Sequence, residues 1–177
     1  MKQTLVELFG AYAHEMIFLH IISAIIWVGG MIAIRLAVHP SLQTIEEPSI
    51  KLGKTLLLMG KFFNIVMPFI IILIITAVFM SVGLGFRDSA VDGSGNIISQ
   101  SAMDLYNIVH IKEVLWMIMS ANFTFMYIRR RKAQKLFDSG DLASTKALLS
   151  IIPKYLLPLN IILGIWALYL GVTLRGF

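Results

Sequence analysis

Four stretches of this chain, at about 11–38, 58–84, 102–129 and 152–174, stay apolar over the roughly 20 residues that a helix needs to cross a bilayer. Runs of that length leave few folds open. In lipid every backbone N–H and C=O must be satisfied internally, so a chain forms helices or a closed barrel. Continuous rather than alternating apolarity selects helices. The composition agrees, with 58% hydrophobic and 14% charged residues in 177. The expected fold is all-α, a four-transmembrane-helix bundle forming one integral membrane domain over residues 1–177.

The first run reads as a retained helix, because the small-residue triplet Ala11-Tyr12-Ala13 precedes the apolar core where a cleavage site would follow it. The chain has no cysteine, which excludes disulfides, thiolate zinc sites, iron–sulfur clusters and C-x-x-C-H haem attachment. Any haem has to be held by coordination and packing.

The net charge of +5 is unevenly placed. Arg35, Lys51, Lys54 and Lys61 flank the first inter-helix loop, and Arg129 to Lys132, Lys135, Lys146 and Lys154 flank the third. Loop two sets only Arg87 against Asp88 and Asp92. The positive-inside rule then expects loops one and three in the cytoplasm of a bacterial inner-membrane protein, with loop two and both termini outside. The run Arg129–Lys132 reads as a lipid-phosphate anchor, so no nucleic-acid partner is expected. Loop one is expected from Pro40 to about Leu57 with a short helical turn, and loop two, from Gly85 to Ala102, as an external turn. Asp141 is placed to cap the segment that leads into the fourth helix.

An offset of 90 residues lays Pro68 on Pro158 and makes eight of seventeen positions identical between 68–84 and 158–174. Apolar composition alone would give about two. The same offset lays His20 on His110. The expectation is two parallel two-helix repeats related by an axis along the membrane normal.

A histidine within a membrane segment is costly and usually functional. His20 lies 15 residues before Arg35 and His110 lies 19 before Arg129, so their depths agree within about 6 Å, in the outer half of the membrane. Two imidazoles at matching depth on parallel helices suit the axial positions of a b-type haem. Beside His20, Ser23 and Ala24 leave room, and Trp27 shares its face. Asn107 lies three residues before His110. Glu113, three residues after it, can orient its ring or handle a proton, and Lys112 can snorkel outward to a propionate or an anionic substrate. His14 and His39 read as interfacial residues.

Copper is the rival cofactor. Met103, His110 and Met117 recur every seven residues, Met16 precedes His20 by four, and thioethers with imidazole suit Cu(I). A third reading makes the histidines interhelical hydrogen-bonding groups in an accessory subunit.

The segment FLHIISAIIWVGGMIAIRLAVHP resembles the first-helix pattern of the HemJ and CopD families of small bacterial membrane proteins, through Leu19-His20, Trp27 and Gly29-Gly30. Arg35 and His39 are similar to the arginine and histidine that end that helix in HemJ proteins. VHIKEVLW resembles the second HemJ signature, a His-x-Lys, here His110 and Lys112. The chain departs from HemJ at Ile17, where those proteins carry lysine, and at Asn122-Phe123, where they carry Tyr-His. The HemJ resemblance implies a haem b-binding protoporphyrinogen IX oxidase that passes electrons to quinone or other respiratory-chain components. The CopD resemblance implies copper handling at the inner membrane. Partners are then the lipid bilayer and haem, with homo-oligomerisation left open.

Overall fold

The apolar runs propagate as helix well past the expected spans, because each residue added to a nucleated helix contributes a further backbone hydrogen bond. A computed structural model describes residues 2–174, which form four long helices and one short one. Helix α1 runs Lys2–Gln43 and α2 Pro48–Gly83. The short α3 is Phe86–Ala90, α4 is Gln100–Asp138 and α5 is Leu142–Thr173. Helix α1 kinks at Tyr12 (φ −127°, ψ 30°) and widens into π-helical turns at Ile25–Gly29 and Ile34–Val38. Helix α5 has one such turn at Ile152–Leu156. The last two sit beside Pro40 and around Pro153, where a wider turn relieves the proline clash and the missing N–H.

Loop one is far shorter than expected, covering only residues 44–47. Pro40 lies in the first turn of the closing helical segment of α1, and Pro48 opens α2 after an extended Glu47. At Pro48 the N–H has no helical acceptor to lose, and at Pro40 the preceding π-helical turn accommodates the ring. Loop two is not a plain turn either. After α3, Asp92 Oδ1 accepts from the amides of Ser94 and Asn96, both at 2.8 Å, and Ser99 caps α4. Asp141 caps α5 as expected, accepting from the Ser144 amide at 2.9 Å.

The N-terminus and loop two share one end of the bundle, where Lys2 pairs with Asp88 at 2.6 Å and Phe9 packs on Gly83. Loops one and three share the other, where Arg130 Nη2 donates to the Leu56 carbonyl at 3.0 Å. A Cβ on Gly60 would lie 2.6 Å from that guanidinium, so glycine opens the approach. Helix α2 packs between α1 and α4, α4 against α5, and α5 closes the ring on α1. At Gly164 a Cβ would lie 2.7 Å from Val28 Cγ2, so the closure requires glycine. In the centre, Phe63 and Phe123 meet edge to face at 5.0 Å, and Trp27 meets Phe123 at 6.1 Å. Such aromatic pairs add about 0.5–1.5 kcal/mol each beyond area burial.

The outside of the bundle is apolar too. Ile65, Ile71, Ile162, Ile165 and Leu36 are all more than half exposed. Helices α1, α2 and α5 are long and apolar enough to cross a membrane. Four such crossings were expected, and α4 is the exception. Its 39 residues suffice in length, but Lys112, Glu113 and Asn122 interrupt its apolar stretch. Asn122 points inward, donating to Asn160 Oδ1 at 2.7 Å and to the Leu156 carbonyl at 2.8 Å. Asn160 is fully buried and donates to the Met119 carbonyl at 3.1 Å, tying α4 to α5.

Candidate functional site

Residue His20 lies on the α1 face that packs along α2, and α2 offers one polar side chain at that level. Thr76 is buried, the sole hydroxyl in the otherwise apolar run 65–80. His20 Nδ1 lies 3.0 Å from Thr76 Oγ1. The threonine has one proton to give, and the Ile72 carbonyl takes it at 2.8 Å. With that proton so engaged, Nδ1 of His20 is placed to donate to Thr76, the tautomer in which Nε2 carries the free lone pair. A second partner that fixes the ring in this way is what a ligating histidine requires. Around it, Ser23 is buried and donates to the Leu19 carbonyl at 2.6 Å, and Ala24 is buried against neighbouring helices. One π-helical turn further, Trp27 is 1% exposed and its indole Nε1 has no acceptor. Buried donors without partners are rare, so this wall of the bundle holds a donor to spare.

Helix α4 contributes a different residue from the one expected. Its inward face carries Lys112, Leu115, Met119, Phe123 and Met126, spaced at helical three- and four-residue steps. Lys112, expected to snorkel outward, is drawn toward the bundle. It lies close enough to His20 to act on it electrostatically, and a Cβ on Gly171 would lie 2.9 Å from its Nζ. The glycine therefore makes the space that the ammonium uses.

His110 falls outside this face. Its side chain is 51% exposed and Nδ1 meets Glu113 Oε2 at 2.9 Å, with the Tyr106 ring 4.4 Å away. The expected partnership of His110 with Glu113 therefore forms, but on the outside of the bundle. Asn107 is exposed as well. The structure does not bring His20 and His110 together, because a helix that turns Lys112, Leu115 and Met119 inward must turn residue 110 out. Gly171, beside Lys112, lies two residues from the end of α5. His110 and Glu113 thus stand at the loop-two end, where polar side chains are inexpensive.

The copper ladder is not assembled either. Met117 is 55% exposed while Met16 and Met103 are half-buried, and no cluster of three or more metal-ligating His, Asp or Glu side chains occurs among the described residues. His14 is exposed at the loop-two end. His39 lines a cavity at the opposite end.

A haem clamped between His20 and His110 of one chain does not fit this arrangement. The donor set at His20 is that of a single imidazole, one nitrogen of which is engaged by Thr76. Nε2 of His20 makes no hydrogen bond, Lys112 is near enough to act on the ring electrostatically, and Trp27 Nε1 is an unused donor. Comparison of the chain with protein-family models, characterised proteins and solved structures gives no match. The functional reading therefore stands on this geometry.

Proposed function

We propose that the chain is a four-helix integral protein of the bacterial inner membrane that binds haem b through His20 in the outer half of the bundle and serves a redox function. The observation that carries this reading is the His20–Thr76 hydrogen bond, which leaves Nε2 available at a half-buried site next to Lys112. Bound haem supplies one-electron chemistry. The chain's own residues hold the imidazole tautomer through Thr76 and offer the Lys112 ammonium to a propionate or an anionic substrate. Membrane placement draws support from three apolar helices and from the apolar outer surface. Helix α4 runs antiparallel between α2 and α5, so it crosses wherever they do. With the basic end in the cytoplasm, His20 lies toward the outer face, as in the parallel-repeat reading of the sequence.

The test is spectroscopic. Protein purified in mild detergent should show a Soret band that is lost in His20→Ala and kept in His110→Ala. Equal loss in both variants would restore the bis-histidine arrangement. A colourless protein that binds Cu(I) stoichiometrically would overturn haem in favour of copper.

A further inference from the structure

A large cavity lies at the opposite end from His20. It has a volume of about 770 Å³ and sits where the end of α1, the start of α2 and the start of α5 diverge. Its floor is core, including Leu52, Phe63, Met126 and Leu157, all buried. Its mouth carries Arg35, Lys51, Lys61, Lys146 and Lys154, against a single carboxylate, Glu46. Among the described residues none of the five cations has a carboxylate within ion-pair distance. Leu58 and Ile65, both exposed, line its side, so it opens laterally along the apolar surface of α2.

Arg35 also borders a second, wholly apolar groove of about 320 Å³ between α1 and α5, walled by Leu36, Ile162 and Ile165. Two apolar troughs thus meet at one guanidinium. The π-helical turns Ile34–Val38 and Ile152–Leu156 bring both walls of the large cavity to this point.

We infer that this end of the bundle is a binding site for one anionic diacyl phospholipid of the cytoplasmic leaflet, its phosphate on Arg35 and the neighbouring lysines and its two chains in the two troughs. Unpaired cations call for an anion, and apolar floors exclude a bare one. Basic pockets between helices on the cytoplasmic side suit lipid headgroups. A guanidinium is the side chain best matched to phosphate oxygens. The inference rests on the membrane placement proposed above and is independent of haem.

Protein reconstituted into nanodiscs of phosphatidylcholine alone, or phosphatidylcholine with one-fifth phosphatidylglycerol, is extracted in mild detergent and weighed by native mass spectrometry. The result expected is about one phosphatidylglycerol retained per chain and no comparable phosphatidylcholine. Arg35→Gln should weaken retention about fivefold, the worth of one surface cation toward anionic lipid. Lys146→Gln/Lys154→Gln, which leaves the helix packing untouched, should do at least as much. Arg131→Gln, in the basic run but outside the cavity, should weaken retention far less than Arg35→Gln. Equal retention of both lipids, or equal loss in Arg131→Gln, would overturn a built site in favour of diffuse attraction. Displacement by millimolar inorganic phosphate would overturn the lipid and leave a simple anion site. Failure of the wild-type chain to enter nanodiscs would instead overturn the membrane placement and, with it, this inference.

Discussion

The two halves of the chain share a proline-led helix and a histidine at an offset of 90, yet they use them differently. In the first half His20 faces α2 and finds Thr76, which anchors its ring. In the second half the residue aligned with Thr76 is Trp166, which is exposed, and His110 turns outward to Glu113. The position aligned with buried Ile70 is Asn160, which bonds α5 to α4, and the one aligned with Ile74 is Gly164, which admits Val28. One half therefore anchors a histidine ring and the other ties the bundle together. Motif equivalence in sequence does not carry over to equivalent surroundings, because the partner helix decides which way a side chain gains.

The sharpest way to break this contrast is to remove the one hydroxyl that separates the halves. Thr76→Val should lower haem affinity about 10–100-fold, the usual effect of losing a partner that orients a ligating histidine. Haem titration followed by the Soret band measures it, and an unchanged affinity would make Thr76 a bystander. The packing role of the second half is tested by Gly164→Val, expected to cost about 1–3 kcal/mol through overpacking against Val28 and Met119. The aligned substitution in the first half, Ile74→Val, should cost no more than about 0.5–1.5 kcal/mol. Unfolding midpoints in detergent compare the two, and equal costs would contradict the division of labour.

The smallest effect expected is a pH dependence at the α5 cap. Hydrogen bonding to Ser144 holds the Asp141 carboxyl below the usual carboxylate range. Its unfolded value, about 3.9, lies above the folded one, so the cap's stabilisation is complete above that pH and fades as pH falls through the folded value. Asp141→Asn should flatten the acid limb of a melting-temperature profile.

Much of the fold was legible in the sequence. Long apolar runs announced the helices, and Asp141 announced its cap. The length of loop one was not legible, because Pro40 is absorbed into α1 behind a π-helical turn and Pro48 opens α2. The inward face of α4 was missed for a related reason. Two motif residues, His110 and Lys112, are too close in sequence to share one helix face, and only the neighbours choose between them. Leu115, Met119, Phe123 and Met126 pack inward on the face that carries Lys112, and most of that row lies beyond VHIKEVLW. Thr76 had a readable signal as the lone hydroxyl of its run. The lysines around the lower cavity were read for topology alone, since their convergence needs the fold.

The central claim is that His20 is held inside the bundle while His110 stands outside at the loop-two end. A chain without cysteine allows this to be measured directly by single substitution. His20→Cys and His110→Cys would each be exposed, in intact spheroplasts, to a membrane-impermeant maleimide. The account predicts rapid labelling at position 110 and labelling at position 20 only after denaturation; protection of both positions alike would contradict it.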